Sequence, residues 1–164
     1  MTTNKQLGNI GEAWVFYQLA RRGYDAVLPR MNYRGVDILA TDAVGRPFAM
    51  QVKTRAAGRK KWMVSASAEN ATDPRVFYAL VELQKEDRNP VVWIVPAALV
   101  AQFVRESHAA WLAGTKASGE PRRDNTIRNI TDQRQENVGG LENFPPGWLD
   151  PFREAWEIIE HEVA

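Results

Sequence analysis

The chain has 164 residues, 45% of them hydrophobic and 25% charged, with a net charge of +1 at neutral pH. That length and balance suit a single domain over 1–164 with a sizeable core, and they exclude a disordered chain and a bulk polycation. The absence of cysteine excludes disulfide and thiolate-metal chemistry, and the polar start and short apolar runs predict a cytoplasmic protein without a signal peptide or a membrane partner.

Residues 5–22 predict a helix. Leu7, Ile10, Trp14 and Tyr17 recur at helical spacing, and Val15, Phe16 and Leu19 widen the apolar face. Gly23 is its natural stop. Glu12 sits beside the apolar stripe rather than opposite it, just after Gly8 and Gly11, which weaken a helix unless another backbone must come close. Residues 24–29 read as a strand.

Two further strands follow, Asp37-Ile-Leu-Ala and Phe48-Ala-Met-Gln51-Val52-Lys53, joined by a Gly- and Pro-containing turn over 42–47. Side chains alternate along a strand, so Gln51 and Lys53 share one face and Val52 takes the other. Hairpin pairing brings Asp37, at the start of one strand, near Gln51 and Lys53, at the end of the other. A carboxylate and an ammonium at one sheet edge are costly unless they serve each other or a ligand.

From Lys53 to Lys61 there are five basic residues, namely Lys53, Arg55, Arg59, Lys60 and Lys61, and no acidic one. Trp62 opens a short strand, and 65–72 reads equally as a helical turn or a loop. Residues 77–83 and 91–95 are strongly β-branched and aromatic, as in strands covered on both faces. Pro96 opens a helix over 97–112 that Gly114 ends. Residues 116–140 are polar, with a short strand near 126–130, and their arginines read as surface groups, as do His108 and His161. Trp62 and Tyr78 read as core residues rather than base-stacking platforms. Asp150 and Pro151 predict the start of a final helix running to about Val163. The core is expected over about 5–113, with a C-terminal extension over about 114–164.

Glu12 in Gly8-Asn-Ile-Gly11-Glu12, Asp37 in Gly35-Val-Asp37, and Gln51-Val52-Lys53 resemble, in order and setting, the PD-(D/E)xK nuclease superfamily. The likeness is to its Holliday-junction-resolvase-like and modification-dependent restriction branches, in a QxK variant. The resemblance implies a restriction-endonuclease-like αβββαβ core, an α/β fold whose mixed central sheet is flanked by helices, with a C-terminal helical extension. It implies a metal-dependent nuclease hydrolysing DNA, with RNA as the alternative polynucleotide. Asp37, Gln51, Lys53 and Glu12 would be catalytic. Mg2+ or Mn2+ would be held by Asp37, the Gln51 amide, the Val52 carbonyl and Glu12, a hard-oxygen set suited to such a cation. Arg34, Arg55, Arg59, Lys60 and Lys61 would contact the nucleic-acid backbone, and cutting both strands would suit a homodimer. The superfamily more often places a carboxylate at position 51. The neutral amide weakens the expected metal affinity and leaves a second reading, a catalytically inactive module binding nucleic acid or a protein.

Overall fold

The computed structural model describes residues 3–29, 35–85, 88–132 and 141–161. Helix α1 (Asn4–Arg21) begins at a reciprocal cap. The Thr3 hydroxyl accepts from the Gln6 amide at 3.2 Å, and the Gln6 side-chain oxygen accepts from the Thr3 amide at 2.8 Å. Gly23, at φ +85°, lies just beyond its end, where a left-handed residue is cheapest as glycine.

Strands β1 (Asp25–Val27), β2 (Ile38–Thr41), β3 (Pro47–Arg55), β5 (Val76–Glu82) and β6 (Val91–Pro96) form one sheet in the order β1-β2-β3-β5-β6. β3 and β5 are parallel and the other neighbours antiparallel. Strand β4 (Trp62–Ser65) instead pairs with β7 (Ile127–Ile130) in a separate two-stranded ribbon. The crossover from β3 to β5 carries β4 and a 3-10 turn, Ala66–Asn70, which settles the undecided segment. Helix α2 (Ala97–Leu112) follows β6. This is the expected mixed α/β architecture, a central mixed sheet flanked by helices.

The two faces of the sheet bury different partners. On one, Val15 and Leu19 of α1 pack with Phe48, Met50, Val52, Phe77 and Ala79, together with Trp156 and Ile159 of the tail. On the other, Tyr78, Leu80 and Val95 pack with Val100, Phe103 and Val104 of α2 and with Trp62, Val64 and Ile130 of the ribbon. Trp62 and Tyr78 are therefore core residues, 2% and 5% exposed, as expected. β5 is apolar on both faces because both are covered.

Three expectations change. The predicted final helix is instead two 3-10 turns, Asp150–Phe152 and Trp156–Glu160, and its end lies outside the described residues. Between the turns the tail pairs with the free edge of β6. The Glu154 amide donates to the Val92 carbonyl at 2.7 Å, and the Glu154 carboxylate accepts from the Val92 amide at 2.8 Å. Glu154 sits at φ +53° to do so, which interrupts any continuous helix. Arg128 is buried rather than a surface group, ion-paired with Glu69 and bonded to the carbonyls of Asn125 and Ile127. His108 is mostly covered and bonds Asp124 at 2.7 Å. Arg134 lies outside the described residues.

The turn before β3 is locked to the tail through Asp42, whose side chain is fully covered. It accepts from Arg46 at 2.7 Å and from Arg75 at 3.0 Å, while Arg75 also donates to the Ile159 carbonyl. Burial opposes the charge of Asp42. The Arg46 amide and guanidinium, the Val44 amide and the Arg46 charge outweigh it and hold the carboxyl below its ordinary range. The hairpin that carries the candidate site is thereby fixed at its far end.

Candidate active site at the β2–β3 edge

Asp37 stands just before β2, where the hairpin pairing is irregular. Ile38 opposes Met50, yet the Asp37 amide also donates to the Met50 carbonyl, at 2.9 Å. Two residues of one strand thus meet one of the other, the arrangement of a β-bulge, which re-aims side chains. The Asp37 carboxylate Oδ2 then accepts from the Val52 amide at 2.7 Å. The amide and carbonyl of one strand residue leave on the same side, so the Val52 carbonyl faces this edge as well.

Gln51 lies on the opposite face of β3 from Val52, as predicted, and donates from Nε2 to the Gly35 carbonyl at 2.5 Å. A carbonyl only accepts, so the amide nitrogen must point there and the oxygen away. Gly35 makes this possible: its φ is +77°, and a Cβ there would stand 2.9 Å from Gln51 Nε2.

Glu12 arrives from α1. The preceding Gly11 is pressed against β3 so closely that a Cβ on it would meet Thr54 Oγ1 at 1.9 Å. The close approach expected of these glycines is real at Gly11 and absent at Gly8, where a Cβ would meet nothing within 4 Å. Burial, then the negative charge of Asp37, raises the proton affinity of Glu12, and Lys53 opposes the shift. Asp37 is raised by its own burial, against the pull of the Val52 amide and of Lys53. Glu12, Asp37 and Lys53 are therefore within electrostatic reach of one another.

Tyr78 is a neighbour that the sequence did not disclose. It lies directly opposite Gln51 across the parallel β3–β5 pairing. Its phenol is pushed up to about 12, by burial and then by Asp37. Its strand was legible, but its place beside Gln51 depends on which strands pair and in what register.

The basic residues separate into groups. Arg59, Lys60 and Lys61 are exposed. Arg55 is mostly covered, ion-paired with Glu82 at 2.5 Å and laid 3.5 Å over the Trp62 ring, so its guanidinium serves the fold. Arg34 lies outside the described residues.

Two carboxylates, an amide oxygen and a backbone carbonyl make a hard-oxygen donor set that fits a small divalent cation. Burial is the main reason both carboxyls hold their protons more tightly; the charge of Asp37 adds to it at Glu12, and Lys53 offsets both incompletely. Among the described residues no cluster of three or more His, Cys, Asp or Glu is arranged to hold a metal, so any cation here depends on Gln51 and Val52 besides the two acids.

The raised carboxyls predict a pH dependence of stability. The folded state binds these protons more tightly than the unfolded chain, so stability falls as pH rises from the ordinary carboxyl values, about 3.8 and 4.5, through the raised ones. Asp37→Asn, which keeps an acceptor for the Val52 amide, is expected to raise Tm at pH 7. The gain should vanish below about pH 4, where the native acid is protonated too. Melting curves at both pH values check this; a lower Tm at pH 7 would contradict it.

No family model matches the chain, and no curated protein is similar to it. Among solved structures it is similar to a bacterial homing endonuclease, I-Ssp6803I, with a TM-score of 0.53 and 17% identity over 99% of this chain and 96% of that one. No helix of the described residues is long and apolar enough to cross a membrane. The chain has a nuclease-like fold, matched over nearly its whole length.

Proposed function

We propose that the protein is an endonuclease that hydrolyses DNA phosphodiester bonds with the help of Mg2+ or Mn2+. The observation that carries this reading is the 2.7 Å bond from the Val52 amide to the Asp37 carboxylate, which holds that acid beside the Gln51-Val52-Lys53 stretch of β3, with Glu12 of α1 near enough to feel the charges of Asp37 and Lys53. The nuclease-like fold supports it.

Asp37, Glu12, the Gln51 oxygen and the Val52 carbonyl would hold the cation. When bound, it lowers the pKa of the attacking water and offsets charge on the phosphate. Asp37 keeps Oδ2 on the Val52 amide, so Oδ1 would be the oxygen offered to a cation. Lys53 would donate to the phosphate oxygens where charge grows, or hold the attacking water. Arg59, Lys60 and Lys61, carried on the connection from β3 to β4, would hold the backbone of the substrate.

One observation favours the competing reading, a nuclease-fold module that binds without cutting: the Gln51 amide supplies a structural bond to Gly35 where a carboxylate would supply charge. Incubation with supercoiled plasmid and Mg2+ or Mn2+ decides between them. Nicked and linear products support the enzyme; tight DNA binding with intact plasmid supports the module.

Charge at position 51 gives a second test. Gln51→Glu adds a ligand charge to the donor set but loses the donor to Gly35. Mn2+ affinity, measured by calorimetry, is expected to rise roughly tenfold, the scale on which ligand charge tunes such sites. Equal affinities would refute the charge argument.

A further inference from the structure

We infer that the β4–β7 ribbon is a sequence-reading element that enters the major groove of duplex DNA. The inference rests on the nucleic-acid half of the reading above and adds where base identity is sensed.

The ribbon has two chemically distinct faces. Trp62, Val64, Arg128 and Ile130 point inward and are buried. Met63, Ser65, Ile127 and Asn129 alternate with them and form the outer face, with Met63 opposite Asn129 and Ser65 opposite Ile127. Met63 is 61% exposed and Ile127 52%. Large apolar side chains so exposed leave about half of their surface open to a ligand. Asn129 is only partly exposed: its amide oxygen is buried without a hydrogen-bond partner among the described residues, so the side chain must turn outward to pair with a base edge, and no existing bond holds that oxygen back. Two apolar groups and two short polar ones, none charged, are what base edges and thymine methyls require, and a carboxylate among them would repel phosphate.

Charge selects the occupant. Residues 59–65 and 121–131 together hold six Lys or Arg and one Asp, a net +5, so the rest of the chain carries −4. Arg128 is neutralised internally by Glu69, but Arg59, Lys60, Lys61 and Arg123 are exposed. The first three precede β4, and Arg123 precedes β7 at the other end of the antiparallel pair. An uncharged reading face between cationic ends matches a groove between phosphate rows.

Position and stiffness complete the case. The inner face of the ribbon packs on the Tyr78 and Leu80 side of the main sheet. The β3–β5 register puts Gln51 opposite Tyr78 and Lys53 opposite Leu80, on that same side. A duplex held at the β2–β3 edge would therefore run past the ribbon. Trp62 donates to the Val81 carbonyl at 2.8 Å, and Arg128 ties down the carbonyls of Asn125 and Ile127, so the ribbon is held rigid. The DNA major groove admits a two-stranded ribbon, whereas the deep, narrow major groove of duplex RNA does not.

The test uses the full chain carrying Asp37→Asn and a library of duplexes with a randomised centre. Selection is expected to recover a preferred sequence. Adding Asn129→Ala or Ile127→Ala should weaken binding of that duplex by roughly 5- to 150-fold, the effect of losing one good base contact. Binding of an unrelated duplex should stay within about twofold. Lys60→Ala should weaken both duplexes alike and reduce the salt slope by about one. Replacing thymine by uracil in the preferred site should weaken binding by the Ile127 protein and not by Ile127→Ala, a comparison that does not depend on the fold of the variant alone. Unchanged sequence preference in the ribbon variants, DNA bound with no preference, or selection of RNA over duplex DNA would each overturn the inference. Cleavage is read separately: ribbon-dependent selection by a wild-type protein that leaves a plasmid carrying the selected site intact with Mg2+ or Mn2+ retires the endonuclease and keeps the ribbon.

Discussion

Asp37→Ala and Lys53→Ala are each expected to lower plasmid cleavage by roughly 10^3-fold, with the fold retained. Removing one preorganised stabiliser of transition-state charge commonly has an effect of about 10^2–10^3, and loss of a metal ligand acts on both water activation and charge neutralisation. Asp37 is irreplaceable by position as well as by charge. The bulge at Met50 and the 2.7 Å bond from Val52 aim its carboxylate at the edge, and no other acid of the hairpin is so aimed, since Asp42 is locked to Arg46 and Arg75 at the far end. Asp37→Asn should be equally inactive yet more heat-stable at pH 7, so stability and activity move in opposite directions. Simple damage to the fold would lower both. Cleavage within tenfold of wild type in both alanine variants would place the chemistry elsewhere.

Gly11→Val is expected to lower stability by about 3 kcal/mol, the upper end for overpacking, and Tm by roughly 6–12 °C for a chain of this size. A Cβ at position 11 would stand 1.9 Å from Thr54 Oγ1, 3.0 Å from its Cβ and 3.2 Å from its Cγ2. Rotating Thr54 cannot remove all three contacts, because its Cβ is fixed to the strand. The helix must lift, and Glu12 lifts with it, so cleavage should fall beyond what the lost stability explains. Thr54→Ala removes two of the three contacting atoms and also deletes a buried hydroxyl without a partner among the described residues. The double variant should therefore recover part of the loss, as a cycle of melting temperatures would show. Gly8→Ala is the control. Its Cβ has open space, and alanine favours the helix by about 0.5–1 kcal/mol. Destabilisation by Gly8→Ala equal to that of Gly11→Val would mean that helix conformation, and not the contact with β3, sets the effect.

Local patterns carried much of the fold. The apolar stripe of α1, the Gly- and Pro-marked turn before β3, and the Pro96 entry to α2 all depend on residues a few positions apart, and the structure agrees within a residue or two. The alternation that sets Gln51 apart from Val52 is of the same kind. So is the order of Glu12, Asp37 and Lys53, which needs only a helix, a hairpin and their sequence. The two glycines just before Glu12 pointed to a close approach, and one of them makes it.

What the chain alone determined is thus its helices, its hairpin and the chemical types gathered near one edge, because short-range periodicity and turn chemistry act before any distant segment is met. Tertiary structure decided the rest. It set the parallel β3–β5 register that puts Tyr78 beside Gln51, the pairing of β4 with β7 across a long stretch of chain, and the burial of Arg128, whose partner Glu69 is 59 residues away. It also turned the expected last helix into a strap along β6, because Val92 offered Glu154 two hydrogen bonds that a continuous helix would forgo. Each of these outcomes is a choice among distant partners, and its free energy exists only once the core has brought them together.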